Sequence, residues 1–70
     1  MIEEQIAKAE SSFMDNNMSA ADAIIMRPEI RATLIEELGM SWDEDLNSYM
    51  GLSVAVSTDP NFPDFKLAKF

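Results

Sequence analysis

The sequence contains neither cysteine nor histidine. Without cysteine, a disulfide and a thiolate zinc site are both excluded, and without histidine the commonest metal ligand and the commonest general base are missing. Small domains usually gain stability from disulfides, a metal or oligomerisation. A chain of 70 residues forms one domain and must therefore depend on its own packing, on self-association or on a partner.

Positive charge is absent from half of the chain, because no Lys or Arg occurs between Thr33 and Phe65. The same segment holds seven carboxylates, and the whole chain has a formal net charge of −8. Such a surface repels nucleic acid and anionic lipid and attracts basic groups. We therefore predict a protein partner with a basic surface, and no direct binding of nucleic acid or membrane.

Long apolar runs are also missing. No stretch reaches the roughly 18 apolar residues of a membrane span, and the acidic start, Met1 to Glu4, lacks the basic segment of a signal peptide. We expect an intracellular protein, located in the cytoplasm of the producing cell or forming part of a virus particle.

Apolar periodicity predicts a first helix, because Ile2, Ile6, Ala9 and Phe13 recur at spacings of four, three and four. A second, short helix is predicted from Ala20 to Met26. Its start is indicated by Ser19 and Asp22, which stand three residues apart as in a capping box.

A further helix is predicted from Pro28 to Leu38, with Gly39 as its C-terminal cap. Whether Pro28 separates two helices or kinks one long helix is left open. Ser41 and Glu44 then form a second capping box, which predicts a last helix that ends near Gly51.

The C-terminal part changes character. Leu52 to Ser57 alternates with a period of two, as a strand does, and Thr58 to Pro63 reads as a turn. Phe65 to Phe70 is a candidate partner strand. The predicted fold is mainly α, with three or four short helices and a β-prone C-terminal tail, and small α+β is the alternative. Residues 1–51 would form the helical domain, and residues 52–70 a tail packed on this domain or on a partner.

Catalytic equipment is not recognisable. No nucleophile–base pair or phosphate-binding loop can be proposed, so we predict neither an enzyme nor a cofactor. The segment from Pro28 to Tyr49 has the outline of a helix-turn-helix. The leading residues of its second helix, Trp42 to Asp45, are mostly acidic and would be repelled by the phosphates of a DNA groove.

We therefore predict a small acidic protein-binding module that attaches to a larger protein or assembly. A viral or phage accessory inhibitor and a minor structural protein are both compatible with this role. Aromatic and apolar anchors would supply most of the affinity, and carboxylates would select the basic partner. The predicted contact residues are Trp42, Asp43, Glu44, Asp45, Tyr49, Phe62, Phe65, Leu67 and Phe70.

Three alternatives stay open. The acidic half could imitate the phosphates of DNA, which would make the protein a DNA-mimic inhibitor of a nucleic-acid-binding protein. The chain could also form a homo-oligomer. Finally, five methionines besides Met1 are many for this length, and they could fill an irregular core or form a Met-rich binding face.

Overall fold

The computed structural model describes residues 1–41 and 46–70. Within these ranges the chain forms two helices and four strands, in the order α1 (Ile2–Asn17), β1 (Ala23–Met26), α2 (Pro28–Glu37), β2 (Ser48–Tyr49), β3 (Leu52–Val56) and β4 (Phe65–Ala68). The four strands build one mixed sheet with the order β2-β3-β1-β4. The described residues thus have an α+β fold, and the prediction of a mainly α fold with three or four helices is wrong.

Strand β1 lies inside the sheet. It pairs in parallel with β3, which places Ile24 opposite Val54, and it pairs antiparallel with β4, which places Ile24 opposite Leu67. Parallel neighbours need a crossover connection, and α2 lies in that crossover. The two predicted C-terminal strands therefore both exist, but they do not pair with each other, because β1 lies between them.

The helix predicted over Ala20 to Met26 is wrong. Asp22, which was expected to cap that helix, instead extends the sheet: its backbone N–H donates to the Ala68 carbonyl, and its carbonyl accepts from the Ser53 N–H. The residues that follow are Ala23 to Met26, with the β-branched pair Ile24 and Ile25 at their centre. Hydrogen bonds to the two flanking strands satisfy the backbone N–H and C=O groups of this segment. A helix this short would be marginally stable, and β-branched residues favour a strand.

Helix α2 begins at the predicted residue and ends at Glu37, one residue before the predicted end. Arg27 is extended, with φ −71° and ψ 152°, and Pro28 is the first helical residue, so Pro28 begins a separate helix and does not kink a longer one. At the other end Gly39 has φ 72°, its N–H donates to the Glu36 carbonyl, and the Met40 N–H donates to the Ile35 carbonyl. These two hydrogen bonds form a Schellman motif.

The helix predicted to end near Gly51 is wrong over its C-terminal part, where the structure has β2. Met50 and Gly51 join β2 to β3 as a two-residue turn, and their φ angles are 50° and 81°. Positive φ at both positions is typical of a type I′ hairpin turn. Ser41, the predicted first residue of this helix, is not helical. Residues 42–45, which include Glu44 of the capping box, lie outside the described residues.

Both helices pack on one face of the sheet. Among residues 1–41 and 46–70, the four largest side chains that are fully buried are Ile6 of α1, Ile24 and Met26 of β1, and Leu34 of α2. Burying each of them contributes on the order of 1.5–3 kcal/mol to the hydrophobic stabilisation. The remainder of the buried cluster comprises Ile2, Ile35, Leu46, Tyr49, Leu52 and Leu67.

Candidate protein-interaction surface

The N-terminal end of β1 brings three distant parts of the chain together. The carboxylate of Asp22 accepts a hydrogen bond from the Phe70 backbone N–H at 2.9 Å, and the Lys69 ammonium group contacts the Ser19 hydroxyl. The β2–β3 turn, with Met50 at its tip, reaches the same end, because β3 runs parallel to β1 from Leu52 onwards. The segment after α1, the hairpin turn and the C-terminal residues therefore adjoin one another.

Large apolar side chains are exposed at this end. The exposed fractions are 91% for Met18, 90% for Phe70, 66% for Met50 and 52% for Met14. We call these four residues the apolar end. Contiguous exposed apolar side chains mark sites of interaction more often than scattered ones do.

A groove separates α1 from the β2–β3 turn. Its volume is about 300 Å³, and Met14 of α1 and Met50 of the turn both line it. We call it the Met14–Met50 groove. Ala7, Glu10 and Ser11 line the groove from α1, at helical spacing with Met14. Ala20 and Ala21, which precede β1, also line it.

Two of the four residues of the apolar end have an unfavourable backbone conformation. Met18 has φ 56° and Met50 has φ 50°, and among the described residues they are the non-glycine residues with positive φ. A side chain with a Cβ atom costs about 1–2 kcal/mol in this left-handed conformation. Gly or Asn is the usual residue at a helix C-terminus and in a type I′ turn. Local stability therefore does not explain why methionine occupies these positions, and such strain is often found where function requires a particular side chain.

Negative charge borders the groove. The Oε1 atom of Glu10 is shielded from solvent, and no described residue donates a hydrogen bond to it. The neighbouring Tyr49 hydroxyl donates to the Glu3 carboxylate at 3.3 Å. Burial first, and then the negative charges of Glu3, Glu10 and Glu37, raise the pKa of Tyr49 above its usual 10.0. The groove thus combines mainly apolar walls with the carboxylate of Glu10.

The structure distributes the predicted contact residues unevenly. Phe70 lies at the apolar end, whereas Leu67 and the Tyr49 ring are buried in the core. Phe65 packs partly buried against the same core, and Phe62 is partly buried in the turn before β4.

The remaining predicted contacts, Trp42, Asp43, Glu44 and Asp45, lie outside the described residues. Ser41, which directly precedes them, lines a groove of about 570 Å³ along α2 together with Arg31, Glu36 and four further residues.

Sequence reasoning missed the three exposed methionines as individual contacts. The high methionine count signals either a core filler or a binding face, and the structure contains examples of both. Met26 is fully buried and Met40 packs against the core, whereas Met14, Met18 and Met50 are exposed. Periodicity did not separate the two groups, because Met50 lies in a turn and Met18 follows the end of a helix.

In the described part of the chain, no three potential ligands from His, Cys, Asp and Glu cluster as a metal site would require. Neither of the two described helices combines the length and hydropathy of a membrane-spanning helix. Comparison of the chain with protein-family models, curated proteins and solved structures finds no significant match.

Proposed function

We propose that this chain is a non-enzymatic protein-binding module that attaches to a larger protein or assembly through its apolar end. The observation that carries the proposal is the placement of exposed Met18 and Met50 in left-handed backbone conformations. Methionine is costly there for folding, whereas its flexible and polarisable side chain suits a binding surface. Phe70 adds an aromatic anchor at the same end.

Charge would assist the same function. The net charge of −8 would steer the chain towards a basic partner and speed their encounter, while the apolar anchors hold the complex together. The predicted contacts Asp43, Glu44 and Asp45 would add to this selection. A viral or phage accessory inhibitor and a minor component of a larger particle would both use a module of this kind.

The proposal is tested by comparing variants in one binding assay. The immobilised protein is exposed to an extract of the producing cells, and the retained proteins are quantified by mass spectrometry. We expect a partner that the parent chain retains to be lost by the Met18→Gly, Met50→Gly double variant and by Phe70→Ala. Val56→Ser is the matched control, because Val56 is an exposed apolar residue at the other end of β3.

Since glycine relieves the strained backbone, the double variant should be at least as stable as the parent, so lost binding would not reflect unfolding. A partner that the double variant and Phe70→Ala retain as well as the parent does would contradict the proposed role of the apolar end.

The seven carboxylates between Thr33 and Phe65, with no basic residue among them, favour a second candidate function, DNA-mimic inhibition. A mimic would bind a nucleic-acid-binding protein through carboxylates, and its affinity would fall steeply with salt. Replacing Glu36, Asp43, Glu44 and Asp45 by their amides would then abolish binding, whereas Met18→Gly with Met50→Gly would not. The two candidates therefore predict opposite outcomes for the Met18→Gly, Met50→Gly variant, whereas the amide variant should only slow association if the apolar end is the binding site.

A further inference from the structure

We infer that the Met14–Met50 groove receives an arginine or lysine side chain of the partner protein. This inference rests on the proposed protein-binding function and specifies its chemistry. It follows from the shape of the groove, from its apolar walls and from the unpaired carboxylate of Glu10.

The walls suit the stem of a long cationic side chain. Met14 of α1 and Met50 of the β2–β3 turn both line the groove, and Ala7, Ala20 and Ala21 complete its apolar lining. Arginine and lysine bury their methylene groups along apolar surface while the charged head seeks a polar partner. A volume of about 300 Å³ accommodates one such side chain, whereas a folded element of the partner would be too large.

Glu10 provides the partner for the charged head. Glu10 lines the groove, and its Oε1 atom is shielded from solvent with no donor among the described residues, which is unfavourable. A rotation of the carboxylate towards a cation in the groove would therefore gain a hydrogen bond that this oxygen lacks. A guanidinium or ammonium group would supply a charge-assisted hydrogen bond. Of residues 1–41 and 46–70, Glu10 is the one ionisable residue that lines the groove, so a cation held there would face a carboxylate and no competing positive charge from the lining.

Several cations of the chain have other polar neighbours in the described structure. Lys8 pairs with Glu4 at 3.8 Å, Arg27 pairs with Glu29 at 2.7 Å, and Lys69 contacts Ser19. No described cation forms an ion pair with Glu10. The cation that complements the groove therefore comes from another molecule.

The test uses the methionine methyl groups as reporters. The full chain is labelled with 13C at the methionine ε-methyl groups and titrated with the blocked tripeptide acetyl-Ala-Arg-Ala-amide, followed by NMR. The neutral control peptide has citrulline in place of arginine. We expect saturable shifts of the Met14 and Met50 methyl signals, no shift of the fully buried Met26, and affinity for the arginine peptide about tenfold above that for the citrulline peptide.

Glu10→Gln should reduce the affinity for the arginine peptide to that for the citrulline peptide. Glu4→Gln is the matched control, because Glu4 is an exposed carboxylate on α1 outside the groove, and it should leave the preference intact. Thermal melting of both variants verifies that they are folded.

Any of the following peptide results would overturn the inference: no shift at Met14 and Met50, equal affinity for the two peptides, or an arginine preference that survives Glu10→Gln. Shifts of the two methyl signals with protein concentration alone would assign the groove to a second copy of the chain and would also overturn it. If the peptide fails to bind while the apolar end still retains a partner from the extract, only this inference fails. If the apolar end retains no partner either, the proposed function fails as well.

Discussion

The Glu37 carboxylate at the end of α2 accepts hydrogen bonds from the backbone N–H groups of Ile2, at 2.9 Å, and of Glu3, at 3.2 Å. The first N–H groups of a helix have no partner within the helix, and Met1 at the N-cap supplies no side-chain hydrogen bond. A residue far along the sequence therefore caps α1. This contact joins the two helices that cover the sheet.

Glu37 should make the stability of the fold depend on pH in the acidic range. The hydrogen bond from Ile2, together with that from Glu3, lowers the pKa of Glu37 below its usual 4.5. A lowered pKa in the folded state means that the stabilisation is present above the unfolded value and is lost as the pH falls through the folded value. We expect Glu37→Gln to flatten the decline of melting temperature below about pH 4.5, measured by circular dichroism.

Glu36→Gln is the control for this prediction, since Glu36 is the exposed neighbour on α2. Identical acid profiles for the two variants would contradict a capping role for Glu37.

Tyr49 should titrate above the usual range. It is the one tyrosine in the sequence, so phenolate absorbance near 295 nm reports on this residue alone. Burial, and then Glu3, raise the pKa of Tyr49 above 10.0. The associated stabilisation is complete below the unfolded pKa and is lost as the pH rises through the folded pKa.

Glu3→Gln should lower the midpoint of the Tyr49 titration, because it removes the negative charge that accepts the phenolic hydrogen bond. The urea-unfolded chain is the reference. Equal midpoints in the folded and the unfolded protein would exclude the buried environment of Tyr49.

Met50→Asn should stabilise the protein by about 1 kcal/mol, because Asn-Gly is a preferred type I′ pair and tolerates positive φ. Urea denaturation would show the gain as a higher midpoint with an unchanged slope. Met50→Ala is the control, since alanine keeps the Cβ atom and the strain that arises from φ 50°. A gain of the same size for alanine would attribute the effect to removal of an exposed methionine side chain and would contradict the turn argument.

Ile24→Val should destabilise the fold by about 0.5–1.5 kcal/mol, because it removes a buried methyl group from the central part of the core. Ile25→Val is the matched control on the same strand. Ile25 points to the opposite face of the sheet and is only partly buried. Ile25→Val should therefore lower the free energy of unfolding less than Ile24→Val does when both variants are compared by urea denaturation. Equal losses would contradict the burial pattern of β1.

Local signals predicted the elements whose boundaries depend on a few neighbouring residues. Pro28 at the start of α2 and Gly39 after its end act through fixed backbone preferences, and the structure confirms both positions. The alternation from Leu52 onwards likewise predicted β3. The type I′ turn was missed because Met50 occupies a position where Asn, Asp or Gly is the usual signal.

The charge of −8, the lack of cysteine and histidine, and the start of α2 at Pro28 follow from composition or from residues close together in the chain. In contrast, the pairing of Ala23 to Met26 between β3 and β4, the cap that Glu37 provides for α1, and the exposure of individual methionines arise from contacts between distant segments. Each of these outcomes depends on backbone groups and side chains that are distant in sequence. Strand pairing and burial are therefore established only when the whole chain has packed.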